Sequence, residues 1–149
     1  MMIRNRPGTI AKVLGANDIG LTGGHQAGIL IPKTGSVLSF FPVLDESIKN
    51  PRATVEVTAL EAGLGSFKLA LIHYNNKIVG SGTRNEYRLT GMTALLRSLR
   101  AEVGDVLVFQ RTSEDHVDVR LARADRGAGE KIPRESSESS SDWSIVEIE

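Results

Sequence analysis

The densest chemistry in the chain lies in Gly80 to Arg88, G-S-G-T-R-N-E-Y-R. Arg84, Asn85 and Glu86 stand in a row. An arginine fork fits the O6 and N7 acceptors of guanine, asparagine suits adenine, and glutamate accepts from the N4 amino group of cytosine. Thr83 and Arg88, on either side, suit phosphate oxygens. The same residues also fit a plainer description, a solvated turn whose Arg–Glu pair is worth at most about 1 kcal/mol. A second stretch, Gly15 to Pro32, joins two apolar runs, Ile10 to Leu14 and Ile29 to Ile31. Between them lie polar and glycine residues with neither helical nor strand period, and four of the glycines (Gly20, Gly23, Gly24 and Gly28) fall within nine residues. Such a connection is either an exposed hairpin tip or a binding arm on a rigid scaffold. Glycine would let its backbone approach another molecule closely.

Catalytic constellations are hard to find. His25, His73 and His116 do not fall at metal-ligand spacing, and neither a G-x-S-x-G elbow nor a Walker A loop is present. G-L-T-G-G-H-Q-A-G lacks the lysine and the strand-to-helix context of a phosphate loop. A nuclease would need clustered carboxylates beside a lysine to hold a divalent metal. The nearest pair, Glu130-Lys131, lies in a stretch with no scaffold to fix it. No cofactor is therefore expected. The absence of cysteine removes disulfides, thiolate zinc sites and thiol nucleophiles, and fits a cytosolic protein.

The positioning elements are read from composition and pattern. A chain of 149 residues, 40 % hydrophobic and 24 % charged, is a soluble globular protein with one sizeable core. No apolar run reaches the roughly 18 residues of a membrane span, and M-M-I-R-N-R-P-G has no signal-peptide core. The zero net charge hides a split. Residues 1–100 carry 12 Lys+Arg against 6 Asp+Glu, and residues 101–149 carry the reverse, 6 against 12. A basic body with an acidic end is compatible with a polyanion partner.

Strands are expected at Thr9 to Leu14, Ala27 to Ile31, Ala53 to Leu60, Phe67 to Tyr74, Val106 to Arg111 and His116 to Arg123, with another starting at Ile78-Val79. Asn75-Asn76 and Gly104-Asp105 read as turns. A short helix capped by Ser36 would stop at Pro42, and the best helix, Thr93 to Leu99, has Thr93 as candidate N-cap. This is a mainly β chain with two short helices, of the α+β class. Seven strands, mostly neighbours in sequence, suggest a closed or nearly closed antiparallel barrel, which removes exposed edges. Residues 1–126 form this domain. Residues 127–149 form an acidic Ser/Glu-rich tail or linker ending in an apolar patch around Trp143.

With both Gly-polar stretches on one small barrel, a family resemblance becomes specific. Ala16 to Pro32 and Gly82 to Thr90 resemble the two signature segments of the N-terminal effector domain of EcoRII-like restriction endonucleases. Val103 to Arg111 resembles the Gly-Asp-strand ending of the plant B-three DNA-binding domain. The resemblance covers about residues 8–124. It implies a seven-stranded pseudobarrel that grips the major groove of duplex DNA with two arms, at a CCWGG-like site. Carried over by position, the N-arm runs from Asn17 to Gln26 and includes Asp18, Thr22, Gly23, Gly24 and His25. The C-arm runs from Ser81 to Arg88 and includes Thr83, Arg84, Asn85 and Glu86. Lys12 and Lys77 match basic positions near the arms and are the phosphate candidates. The type member has lysines where this chain has Gly82 and Tyr87, and a tyrosine in place of Leu30. Its C-arm also lacks one residue found here near Ser81 and Gly82. Fewer basic groups imply a flatter salt dependence. The implied setting is a prokaryotic cytoplasm, and the implied partners are double-stranded DNA and a C-terminal nuclease domain in an intact enzyme. Two other classes stay open: a metal-dependent endonuclease complete in these residues, and a barrel that binds carbohydrate or protein.

Overall fold

The computed structural model describes residues 7–20, 28–63, 65–124 and 142–146. Eight strands form one sheet: β1 (Thr9–Val13), β2 (Ile29–Ile31), β3 (Arg52–Ala59), β4 (Gly65–Tyr74), β5 (Glu86–Thr90), β6 (Val106–Ser113), β7 (His116–Ala122) and β8 (Trp143–Ile145). Their spatial order is β2-β5-β4-β3-β7-β6-β1-β8. Every pairing is antiparallel except β3 with β7. The sheet curls until its two edges approach: the Trp143 indole on β8 donates to the Leu30 carbonyl on β2 at 2.9 Å. The result is a mainly β half-barrel.

Alternation drives the strands. On β7, Val117, Val119 and Leu121 face inward while His116 and Arg120 face out. Val57, Leu71, Leu89, Leu107 and Phe109 complete the buried wall. Phe40, Phe41, Phe109 and Trp143 pack edge-on or offset, with centroids 5.2–6.5 Å apart, at separations favoured by aromatic quadrupoles. The α-helix α1 (Met92–Leu99) lays Met92, Leu95, Leu96 and Leu99 on this core.

Four expectations need correction. Among the described residues there are eight strands rather than seven, because Trp143–Ile145 pairs with β1 in register Lys12↔Trp143. Among the described residues there is one α-helix rather than two. The segment after Ser36 makes only one 3-10 turn, Leu38–Phe40, with Val37 at its start. Thr93 does not cap α1. Gly91 does so in the left-handed region (φ 83°), where a Cβ would stand 3.1 Å from the Lys68 carbonyl. The close approach of the helix start to β4 selects glycine over a hydroxyl cap. Finally, Ile78-Val79 is not a strand. Both amides fold back onto the Asn75 carbonyl at 2.9 Å, so pairing begins only at Glu86.

Candidate nucleic-acid interface

The two arms leave the barrel side by side, because β2 pairs with β5. The root of the N-arm is held from three directions. The Gly104-Asp105 turn exchanges backbone hydrogen bonds with Leu14, the last residue before the arm. Asp18 Oδ2 accepts from the Gly15 amide at 2.8 Å and from Lys12 Nζ at 3.0 Å. On the return limb Gly28 has φ 94°, and a Cβ there would overlap the Leu89 carbonyl of β5. Glycine is thus required for approach to the barrel's own backbone.

Lys12 is only 7 % exposed, and its ammonium also reaches the Val13 carbonyl at 3.1 Å. Asp142 lies 3.9 Å away. In the free chain Lys12 therefore anchors the arm through Asp18. Asn17 is exposed, and its carbonyl accepts from the Gly20 amide. Thr22, Gly23, Gly24, His25 and Gln26 lie outside the described residues.

The C-arm is wired by side chains. Asn76 closes the loop: its Oδ1 accepts from the Arg84 amide at 2.9 Å, and its carbonyl accepts from the Gly82 amide at 2.9 Å. A Cβ at Gly82 would collide with that carboxamide, so any longer side chain there requires Asn76 to move. Asn75, fully buried, ties the turn to the barrel by donating to the Ile48 carbonyl and accepting from the Asn50 amide. Lys77 and Thr83 are exposed.

At the tip, Arg84 Nη2 and Arg88 Nε both donate to Glu86 Oε2, at 2.6 and 2.9 Å. The Arg84 guanidinium lies 4.1 Å from the centroid of Tyr74, which stacks beneath it. Arg88 Nη1 reaches the Gly28 carbonyl at 3.1 Å. A continuous relay, Arg84–Glu86–Arg88–Gly28, therefore joins the two arms. The hydrogen bonds from Arg84 and then Arg88 hold the Glu86 carboxyl below its ordinary pKa. With Oε2 occupied by both arginines, Oε1 remains as an acceptor.

Asn85 is half-buried and meets His73 Nε2 through Oδ1 at 2.8 Å. Tyr87 turns inward and stacks on His73 with centroids 4.0 Å apart. Its hydroxyl donates to Glu46. Burial first, and then this carboxylate, raise the phenol's pKa and keep it protonated.

The structure thus brings Arg84, Asn85, Glu86 and Arg88 into one cluster and places Lys77 and Thr83 on the same loop. Sequence reasoning missed four supporting residues. Lys33 is exposed and donates to the Asn85 carbonyl at 2.8 Å. Tyr74 carries Arg84, Asn76 shapes the loop, and His73 contacts Asn85. Only Asn76 left a signal, the Asn-Asn turn. Among the described residues no group of three or more His, Asp and Glu side chains is arranged to hold a metal ion.

Fold and site together define a curled β half-barrel whose C-arm is joined, through Arg88 and Gly28, to the root of the N-arm. The solved Arabidopsis FUS3–DNA complex has this fold, with a TM-score of 0.58 at 14 % identity over 77 % of this chain and 96 % of that one. The model of the family described as restriction endonuclease EcoRII, N-terminal, matches residues 7–132. The chain belongs to that family. The type II restriction enzyme EcoRII of Escherichia coli is 38 % identical over 80 residues, which are 53 % of this chain and 19 % of that enzyme. The chain therefore spans about a fifth of the length of this curated relative.

Proposed function

We propose that this chain is a sequence-specific duplex-DNA-binding module, the recognition part of a restriction system. Its two arms enter the major groove of a CCWGG-like site. The observation that carries this reading is the Arg84–Glu86–Arg88 cluster. Arg84 is held flat on Tyr74 and restrained by Glu86, so its fork is set before DNA arrives. Pre-organised donors lose less freedom on binding. Arg84 offers donors to guanine O6 and N7, while Glu86 Oε1 offers an acceptor to cytosine N4. Adjacent donor and acceptor of this kind match the edges of G·C pairs. Lys33, Lys77 and Thr83 surround the cluster and serve phosphates.

Lys12 acts indirectly in this scheme, by holding Asp18 and with it the direction of the N-arm. Asn17, Asp18, Thr22, Gly23, Gly24, His25 and Gln26 form that arm, and its contacts complete the grip. Cleavage is the task of a separate nuclease domain, and the chain works in a prokaryotic cytoplasm.

The test is an electrophoretic shift titration at fixed, stated salt with a CCWGG duplex, single-base substitutions of it and a scrambled duplex. Tighter binding to the intact site is expected, with each critical substitution costing about 1–3 kcal/mol. Equal affinity for intact and scrambled duplexes would exclude sequence-specific recognition.

A further inference from the structure

We infer that His73 fixes which way the Asn85 carboxamide faces, and so restricts Asn85 to bases that present a hydrogen-bond acceptor in the major groove. This rests on the proposal that Ser81 to Arg88 is a base-reading arm.

His73 lies on β4, only 2 % exposed, beneath the start of β5. Its ring is locked against Tyr87, the planes 10° apart. Nε2 lies 2.8 Å from Asn85 Oδ1. A carboxamide oxygen can only accept, so Nε2 carries the hydrogen. Nδ1 has no hydrogen-bond partner among the described residues. Its nearest carboxylate oxygen, Glu46 Oε2, is 3.7 Å away, beyond hydrogen-bond reach. That oxygen already takes the Tyr87 hydroxyl at 2.5 Å. Inverting the amide would put Nδ2 on Nε2 and force the imidazole hydrogen onto Nδ1, where it would lack an acceptor. A buried donor left unpaired is costly. The Nε2–H tautomer leaves only a lone pair unsatisfied.

Oδ1 therefore faces inward to His73, and the two Nδ2 hydrogens are left for a ligand. Lys33 fixes the backbone at the same residue through the Asn85 carbonyl. A face that only donates suits guanine O6 or N7, adenine N7, or thymine O4. It does not suit the paired contact with adenine, which needs the amide oxygen turned toward the N6 amino group. His73 thus acts as a positioning residue. It alters the expectation from residue type alone, that asparagine would read adenine by two bonds.

Base-analogue binding tests this. Anisotropy titrations would use a CCWGG duplex in which single purines carry carbon in place of N7, or single thymines lack O4. Wild type should lose about tenfold in affinity at one such position. That sensitivity should vanish in Asn85→Ala and in His73→Phe, which keeps the stack but not the donor. It should persist in His73→Gln, whose amide can donate from a similar place. If His73→Phe keeps the wild-type profile while Asn85→Ala loses it, His73 does not position Asn85 and the inference fails although base reading stands. A wild type that binds every duplex alike would instead remove base reading itself. Nitrogen–proton NMR correlation spectra of the free wild-type protein give a reading that needs no variant to fold. The Nε2–H tautomer of His73 is expected, and the Nδ1–H tautomer would overturn the inference.

Discussion

The N-arm root and the C-arm solve one problem, projecting polar groups from a barrel wall, by different means. The root relies on backbone. Leu14 bonds to the Gly104-Asp105 turn, and Gly28 packs against Leu89 where no Cβ could stand. Its Lys12–Asp18 ion pair is largely buried. The C-arm relies on side chains, with Asn76, Tyr74, Glu86 and His73 each holding a group that faces outward. Backbone anchorage fixes where an arm goes. Side-chain anchorage fixes which donors and acceptors it shows. Under the proposed function, this difference gives placement to one arm's root and discrimination to the other.

Four substitutions test that division, the largest effect first. Gly28→Ala should be the most damaging, since it adds a clash with backbone to a positive φ. A loss of about 3 kcal/mol in stability is expected from urea unfolding, near the upper end for single substitutions. Stability within about 0.5 kcal/mol of wild type would show that the root is not set by backbone packing.

Arg84→Ala should leave the fold intact and cost about 1–3 kcal/mol in binding, concentrated at one base pair. A uniform loss across all duplexes would make Arg84 a phosphate contact, and the C-arm would lose its distinction. Lys33→Ala is the matching control. It should weaken all duplexes alike and lower the slope of log affinity against log salt by about 1.

The smallest effect concerns pH. The folded Glu86 carboxyl has a lowered pKa, chiefly through its hydrogen bond from Arg84. Its contribution to stability is full above the unfolded value of about 4.3 and is lost as pH falls through the lower folded value. The margin by which wild type exceeds Glu86→Gln should therefore shrink as pH falls below about 4, by less than about 1 kcal/mol for so accessible a cluster. Thermal melts of both proteins at several pH values would measure it, and a pH-independent margin would mean that the arginines do not stabilise the carboxylate.

Much of this arrangement was legible along the chain. Alternation at His116 to Arg123 gave β7, Asn75-Asn76 gave the turn before the C-arm, and Gly104-Asp105 gave the turn that anchors Leu14. Local chemistry also singled out Arg84, Asn85 and Glu86. What escaped was set by partners distant in sequence. The Lys12–Asp18 contact left no local signal, because it forms only when the chain turns back between them. Tyr74 and His73 looked like ordinary strand residues because their roles depend on β4 lying beside β5. Thr93 lost the cap to Gly91 through the closeness of β4. Gly28 invited a reading in terms of an approaching ligand, whereas it accommodates the Leu89 backbone within the protein.

Trp143 is the single tryptophan of the chain. Its indole lies 7 % exposed between Phe41 and Phe109 and bonds to Leu30, the residue of β2 opposite Arg88. The molecule therefore carries a built-in optical gauge at the seam where its sheet comes round on itself. Emission from a dry, packed indole is shifted to shorter wavelength, and it will move red if β8 lifts or β2 shifts. Because β2 also carries the return limb of the N-arm, the same signal follows movement at the base of that arm during a titration, with no added dye.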